Sequence, residues 1–196
     1  MIRRMRNLLA LTCLALAAPA ALAQEPIEIV SNQLVRFETS LGEFVVELDH
    51  NRAPLSVENF VRYVVDGFYD GTVIHRIDPT FLIQGGGFLP DLTRKESEQT
   101  VPNESGNGLS NRRGTIGMAR GEDAHSASSE FYINLVDNVI LDPRPSRWGY
   151  AVFGEVVEGM DIIDRISSVP TGAAGDFDRE VPVQTILIER VMLVDE

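Results

Sequence analysis

Apolar and polar positions alternate in two consecutive segments near the start of the chain. Residues 34–39 (LVRFET) and 43–48 (EFVVEL) follow this two-residue period, and Ser40-Leu41-Gly42 between them is typical of a turn. Two alternating segments joined by so short a turn are typical of a β-hairpin. The pattern therefore predicts two antiparallel strands.

The period then changes to that of a helix. Pro54 suits the first position of a helix and Gly67 suits the position just past its end, so the segment between them is predicted to be helical. Its apolar stripe consists of Val57, Phe60, Val61 and Val64. A second helix is predicted over 160–168, because an apolar stripe recurs there and Pro170 stops it.

Short strands account for most of the remaining apolar pattern. They are predicted at 72–77, 81–84, 114–119, 130–135, 150–156 and 184–194. Polar stretches separate them, namely a long surface excursion at 89–113 and loops at 120–129 and 171–182. Many short strands with two helices indicate a mainly β protein of the α+β class, folded as an antiparallel barrel or sandwich.

The N-terminus has the three parts of a secretory signal peptide, predicted to span 1–23. Met1–Arg6 is basic, Leu8–Ala18 is apolar, and Ala21-Leu22-Ala23 is a small-x-small cleavage signal. A membrane anchor fits less well, because the apolar run is too short to span a bilayer. Lipidation at Cys13 fits less well, because the residues before it form a poor lipidation signal.

Cleavage after Ala23 would change the size and the charge of the chain. It would leave 173 of the 196 residues, as a short lead at 24–33 and one domain at 34–196. Because the leader carries three arginines and no acid, the net charge would change from −12 to −15. Such a protein repels phosphate backbones and anionic membranes, so nucleic-acid binding is not expected. The only cysteine would leave with the leader, so stability would come from packing without disulfides.

Motifs of several other chemistries are absent from the sequence. The run Gln84-Gly85-Gly86-Gly87 lacks the lysine of a phosphate-binding loop, and glycines in a strand more often allow close backbone approach. His50, His75 and His125 do not have the spacing of metal ligands. The serines before Glu130 lack the elbow motif of a hydrolase. No metal and no cofactor are therefore expected.

Arg76 is the strongest candidate for chemistry. It lies in a strand-like run and is followed closely by the apolar Phe81 and Leu82 and by the amide of Gln84. A fixed cation beside apolar side chains, without a nucleophile, suits a reaction that only redistributes charge, such as rotation of a prolyl amide. The alternative is that Arg76 is a surface charge or a salt-bridge partner. His75 is expected to alternate away from Arg76 along the strand and to be a hydrogen-bonding scaffold residue.

At these residues the chain resembles the cyclophilins, a family of peptidyl-prolyl cis–trans isomerases. The matching segments are FYDGTVIHRIDPTFLIQGGGF (68–88), GTIGMARG (114–121), SSEFYINL (128–135), LD (141–142), GYAVFGEVVEGMDIIDRI (149–166) and APLSVENFVRYV (53–64). They occur in the family's order, and the resemblance covers residues 34–195. With its predicted signal peptide, the chain is similar to the periplasmic branch of Gram-negative bacteria. The resemblance implies a closed eight-stranded antiparallel β-barrel capped by two helices, with the site in a groove on the outer face.

The resemblance also implies roles for individual residues. Arg76 matches the catalytic arginine, His75 the position just before it, and Gln84 an amide that contacts the substrate backbone. The residues that match the proline pocket are Phe81, Leu82, Phe131 and Leu141. Those that match the strip along which the peptide lies are Ala119, Arg120 and Gly121. The implied partners are proline-containing unfolded or loop segments of exported proteins, and the high negative charge favours a monomer.

The chain departs from the family's common pattern at three site positions. Glu130 stands where Gln is common, and its carboxylate could pair with Arg76, either orienting or diverting it. For this reason a proline-peptide-binding chaperone or scaffold with little turnover remains an alternative to an isomerase. Ile140 stands where many eukaryotic members have a Trp that contributes to cyclosporin binding, so tight inhibition by cyclosporin is in doubt. Tyr150 stands where those members have His.

Overall fold

The computed structural model describes Ile29, residues 31–97 and residues 99–194. The predicted signal peptide at 1–23 lies outside the described residues, and its cleavage site stays a prediction. None of the described helices is long and apolar enough to cross a bilayer.

The described residues form ten strands and two helices. In chain order these are β1 (Leu34–Thr39), β2 (Gly42–Leu48), α1 (Pro54–Val65), β3 (Val73–Asp78), β4 (Leu82–Gly85), β5 (Thr115–Met118), β6 (Phe131–Asn134), β7 (Val152–Glu158), α2 (Met160–Ser167), β8 (Thr171–Ala174), β9 (Phe177–Pro182) and β10 (Ile186–Val194). A short 3-10 turn covers Val139–Leu141. The predicted helix ends are confirmed, with Pro54 opening α1 and Gly67, at φ +64°, following its end.

Eight of these strands close into an antiparallel barrel in the order β1-β10-β3-β4-β6-β5-β7-β2. The barrel fold implied by the resemblance is therefore confirmed. The prediction of a loop at 171–182 is wrong, because β8 and β9 pair with each other there as a separate two-stranded hairpin. The sequence did not predict this hairpin because its strands contain glycine, alanine and aspartate, which are poor strand formers.

Aromatic rings fill the interior of the barrel. Phe37 and Phe44 of the first hairpin stack with their ring centroids 4.6 Å apart, and Phe131 of β6 meets Phe37 edge-on at 5.3 Å. Phe60 of α1 closes one end of the barrel, with its ring 6.2 Å from that of Phe131. Because the interior is packed with side chains, a substrate site has to lie on the outer face of the barrel.

The long excursion at 89–113 binds the start of α1. The carboxylate of Glu104 accepts hydrogen bonds from the backbone N–H groups of Leu55 (3.1 Å) and Ser56 (2.7 Å), and from the Ser56 hydroxyl (2.7 Å). These are the second and third residues of α1, whose amides have no partner within the helix. The N-cap residue Ala53 makes no side-chain cap, so a glutamate 49 positions from Leu55 does so instead.

We expect Glu104→Ala to lower the free energy of unfolding by about 1–2 kcal/mol, because it leaves two amides at the positive end of α1 without an acceptor. Urea unfolding followed by circular dichroism measures the change. Glu96→Ala is the matched control, since Glu96 is an exposed carboxylate of the same excursion, and we expect it to change stability by less than about 0.5 kcal/mol. Equal midpoints for the two variants would contradict the capping role.

Candidate active site

The outer faces of β3, β4 and β6, with the residues that follow β5 and the turn at Leu141, enclose a small depression of about 140 Å³. We call it the slot, and its lining residues are Arg76, Phe81, Leu82, Gln84, Ala119, Arg120, Tyr132, Leu141 and Tyr150. Its floor is apolar, because Leu82, Tyr132 and Leu141 form a buried cluster against which Phe81 packs. The sequence predicted every one of these residues except Tyr132.

Strand alternation decides which side chains reach the slot. On β4, Ile83 points into the barrel core while Leu82 and Gln84 lie on the outer face. Beneath the slot, a methyl group added at Gly117 would collide with the ring of Tyr132, so this position has to lack a side chain. The glycine therefore leaves the space that the Tyr132 ring occupies beside β5.

Phe131 does not line the slot, contrary to the prediction. Its side chain is fully buried inside the barrel, 5.3 Å from the ring of Phe37 and 5.7 Å from that of Tyr69. The next residue, Tyr132, points outward and takes the predicted place. The signal was available in the sequence, because Glu130 was assigned to the outer site and a residue two positions later shares its face of a strand.

His75 does not alternate away from Arg76, because β3 contains a bulge. Ile74 pairs with Gly85 and Arg76 with Gln84, so His75 is an extra residue without a partner on β4. Both His75 and Arg76 therefore lie outside the barrel core. His75 is buried behind the slot, against the rings of Phe88 (4.5 Å) and Phe177 (5.8 Å). Its predicted role as a scaffold residue stays a proposal, but it does not line the slot.

The guanidinium of Arg76 is held from two sides. Its Nε donates to Oε2 of Glu180 at 2.6 Å, and its Nη1 donates to Oε1 of Gln84 at 3.4 Å. Glu180 lies 104 positions along the chain, on β9, within the segment that the sequence predicted to be a loop. Sequence reasoning missed it, because an acid in a polar stretch gives no sign of its partner.

Glu130 is separated from Arg76 by the amide of Gln84. It accepts from Gln84 Nε2 at 2.8 Å and pairs with Arg94 Nη2 at 2.9 Å. The Gln84 amide is thereby oriented, with its oxygen towards Arg76 and its nitrogen towards the carboxylate. Among the described residues the ion pair of Arg76 is with Glu180, so Glu130 acts on Arg76 through Gln84.

Arg120 and Tyr150 form the far wall of the slot. The Arg120 guanidinium lies 4.4 Å above the centre of the Tyr150 ring and donates to the carbonyl of Gly121 at 2.9 Å. Gly121 itself lies outside the slot, in a neighbouring depression of about 330 Å³ that also contains Glu130. The predicted peptide strip therefore leads from the slot into a second, more polar space.

A buried polar network supports the slot from below. Asn111 accepts from the Tyr132 hydroxyl at 2.5 Å and donates to Asp142 at 2.9 Å, so it joins the tyrosine to the turn that carries Leu141. Burial would raise the pKa of Asp142, but hydrogen bonds from Ser110 and Asn111 outweigh it and lower that pKa. Burial raises the pKa of the Tyr132 phenol, which therefore stays protonated. The network orients the walls and supplies no base.

His75 is uncharged where it lies. Burial, and to a smaller extent the positive charges of Arg76 and Arg94, lower its pKa from 6.5 to about 3. Its contact with Glu130, at 3.5 Å, is therefore made by a neutral imidazole rather than as an ion pair. Within the described residues no three histidine, cysteine or acidic side chains come together as a metal site. The cationic side chains that line the slot are those of Arg76 and Arg120.

We expect His75→Gln to weaken the dependence of the free energy of unfolding on pH below neutrality. Below its unfolded pKa of about 6.5 the unfolded chain binds a proton that the folded chain, with a pKa of about 3, does not bind. The stabilisation is present above about pH 6.5 and is lost as pH falls towards 3. Between about pH 7 and pH 5 the wild type should therefore lose about 2 kcal/mol more than the variant. Urea unfolding at both pH values measures this, with His50→Gln as the control. Parallel losses in His75→Gln and wild type would refute it.

Comparisons with known proteins agree with this geometry. The family described as "Cyclophilin type peptidyl-prolyl cis-trans isomerase/CLD" matches residues 34–193. A peptidyl-prolyl cis-trans isomerase of Acinetobacter baylyi is 44% identical over 164 residues, which cover 84% of this chain and 87% of the relative. Peptidyl-prolyl cis-trans isomerase B of Escherichia coli is 44% identical over 161 residues, which cover 81% of this chain and 98% of the relative.

Solved structures give the same fold. The crystal structure of a cyclophilin type peptidyl-prolyl cis-trans isomerase of Cryptosporidium parvum superposes with a TM-score of 0.72 at 24% sequence identity. The match covers 84% of this chain and 99% of that one. The family match covers nearly the whole barrel, and the bacterial relatives are similar over most of their own length. The chain therefore belongs to the cyclophilin-type peptidyl-prolyl cis-trans isomerase family.

Proposed function

We propose that this enzyme accelerates the cis–trans rotation of X-Pro peptide bonds in exported proteins, with Arg76 as the catalytic residue. The observation that carries the proposal is that the Arg76 guanidinium lines a slot of about 140 Å³ whose floor is apolar. Residues from three barrel strands, β3, β4 and β6, line the slot, so the cation and the apolar floor are held rigidly relative to each other.

Prolyl rotation needs no bond to be broken, only the loss of amide resonance at a barrier of roughly 20 kcal/mol. In the twisted amide the nitrogen regains its lone pair and becomes a better hydrogen-bond acceptor. A donor aimed at that nitrogen stabilises the twisted state more than either planar state, as catalysis requires. Arg76 suits this role, since its guanidinium stays charged and holds its donors in a fixed plane.

The apolar part of the slot would hold the proline ring while the preceding chain turns. Leu82, Tyr132 and Leu141 are at most 9% exposed, and Phe81 packs against them. Water is largely excluded from such a surface, so the field of Arg76 is screened less than it would be in bulk solvent. The polar strip at Ala119 and Arg120 would carry the rest of the peptide.

The proposed substrates are unfolded or loop segments of exported proteins, and the proposed site of action is the periplasm. The support is the predicted signal peptide at 1–23 together with the similarity to bacterial relatives. We also propose that the enzyme acts as a monomer, since a net charge of −15 after cleavage opposes self-association. No cofactor is needed for a rotation without electron or proton transfer.

The second candidate function is proline-peptide binding with little turnover, which rests on the carboxylate at position 130. The contacts of Glu130 favour the isomerase. Its charge is taken up by Arg94 at 2.9 Å, and the Gln84 amide lies between it and Arg76. The guanidinium is therefore not diverted towards Glu130.

We expect Arg76→Ala to lower kcat/KM for a proline-containing peptide by about 10²- to 10³-fold, as the loss of one pre-organised donor does. A protease-free isomerase assay on the purified enzyme measures it. Arg36→Ala is the matched control, because Arg36 is a strand arginine away from the slot, on β1. If Arg76→Ala keeps the wild-type rate while circular dichroism shows an intact fold, the mechanism is refuted.

We expect Glu130→Gln to have activity equal to or above that of the wild type. The new amide oxygen can still accept from Gln84 Nε2, so the orientation of Gln84 is kept, while one negative charge near Arg76 is removed. The same assay measures kcat/KM. A collapse of activity would contradict this expectation. It would show that the carboxylate is required, with its ion pair to Arg94 as the contact that the variant loses.

A further inference from the structure

The hairpin β8–β9 lies outside the barrel and packs against the strand that carries Arg76. Its strands pair only with each other among the described residues. Phe177 at the start of β9 contacts the rings of His75 (5.8 Å) and Phe88 (5.2 Å). The barrel closes without this hairpin, so its position beside the bulge of β3 calls for another explanation.

The second strand of the hairpin, β9, contains a glutamate with an unfavourable backbone conformation. Glu180 has φ +69°, in the left-handed region that favours glycine. Its carboxylate lies against Arg76 of β3, where the side chain is 20% exposed. Its Oε2 lies 2.6 Å from Arg76 Nε, and its Oε1 lies 3.2 Å from Nε of the exposed Arg179. A strained residue that makes a short charged contact to a candidate catalytic group suggests a function for the strain.

The contact uses one particular edge of the guanidinium. Glu180 occupies the Nε–H, and Gln84 accepts from Nη1 at a longer distance of 3.4 Å. The remaining N–H groups of Arg76 are on the Nη atoms, and the guanidinium is planar, so fixing the Nε edge fixes the direction of all of them. The short bond is to Glu180, so Glu180 sets this direction more strongly than Gln84 does.

We propose that Glu180 is a positioning residue for the isomerase reaction, which anchors the Nε edge of Arg76 so that its Nη donors face the slot. This rests on the proposed role of Arg76. The hairpin β8–β9 is then part of the catalytic apparatus, since it delivers a carboxylate that the barrel strands do not supply. Glu180 does not contact the substrate, and its effect passes entirely through Arg76.

Glu180→Gly tests the proposal sharply, because glycine suits φ +69° while the carboxylate is lost. We expect the thermal unfolding midpoint to stay equal or rise, and kcat to fall about tenfold as Arg76 loses its orientation. KM should change less than about twofold, since the walls that hold proline are unchanged. Glu180→Gln keeps an oxygen acceptor for Nε–H, so we expect it to restore kcat to within about threefold of wild type. Asp178→Ala, an exposed acid of the same hairpin, is the control and should match the wild type.

A double variant separates this inference from the proposed function. In an Arg76→Ala background, Glu180→Gly should cause no further loss, because a residue that acts through Arg76 has no effect once Arg76 is gone. If the double variant loses activity by the product of the two single-variant losses, the inference is overturned. Wild-type or raised activity in the single variant Glu180→Gly would overturn it as well. If Arg76→Ala itself keeps the wild-type rate, the proposed function fails; if only Glu180→Gly keeps it, the inference alone fails.

Discussion

Closure of eight antiparallel strands around a core of aromatic rings is the constraint on which the rest of the structure depends. Once Phe37, Phe44 and Phe131 occupy the interior, every second side chain on the surrounding strands has to face outward. Leu82, Gln84 and Tyr132 face outward for this reason. The slot is therefore a consequence of barrel closure, formed by side chains that the packed interior cannot accept.

A chain of charged and amide groups then crosses the outer face. It runs from Glu180 to Arg76, through Gln84 to Glu130, and ends at the pair of Glu130 with Arg94. The carboxylates and guanidinium groups alternate along it, so each half-buried charge has a partner of opposite sign. The chain fixes the direction of Arg76 while leaving donors on its Nη atoms for a peptide. A free surface arginine would have to lose its side-chain motion on binding.

Segments outside the barrel complete the site. The excursion at 89–113 caps α1 through Glu104 and supports Tyr132 through Asn111, while the hairpin β8–β9 supplies Glu180. These segments have little regular strand pairing with the barrel. They are held instead by side-chain hydrogen bonds, by ion pairs and, at Phe177, by aromatic packing. A barrel of this kind can therefore keep its fold while its site is adjusted by residues in its connections.

The local period of the sequence determined a mainly β protein with two helices and left barrel or sandwich open. The short motifs carried the resemblance that implied the closed barrel and most of the slot. Arg76, Leu82 and Gln84 lie within nine residues of one another, so their common position could be predicted from one segment. Only the tertiary structure decided the rest. The bulge at His75 depends on pairing with β4, and the exchange of Phe131 for Tyr132 depends on which face meets the core. The pairing of Glu180 with Arg76 joins residues 104 positions apart, and such a contact exists only after the chain has folded back on itself.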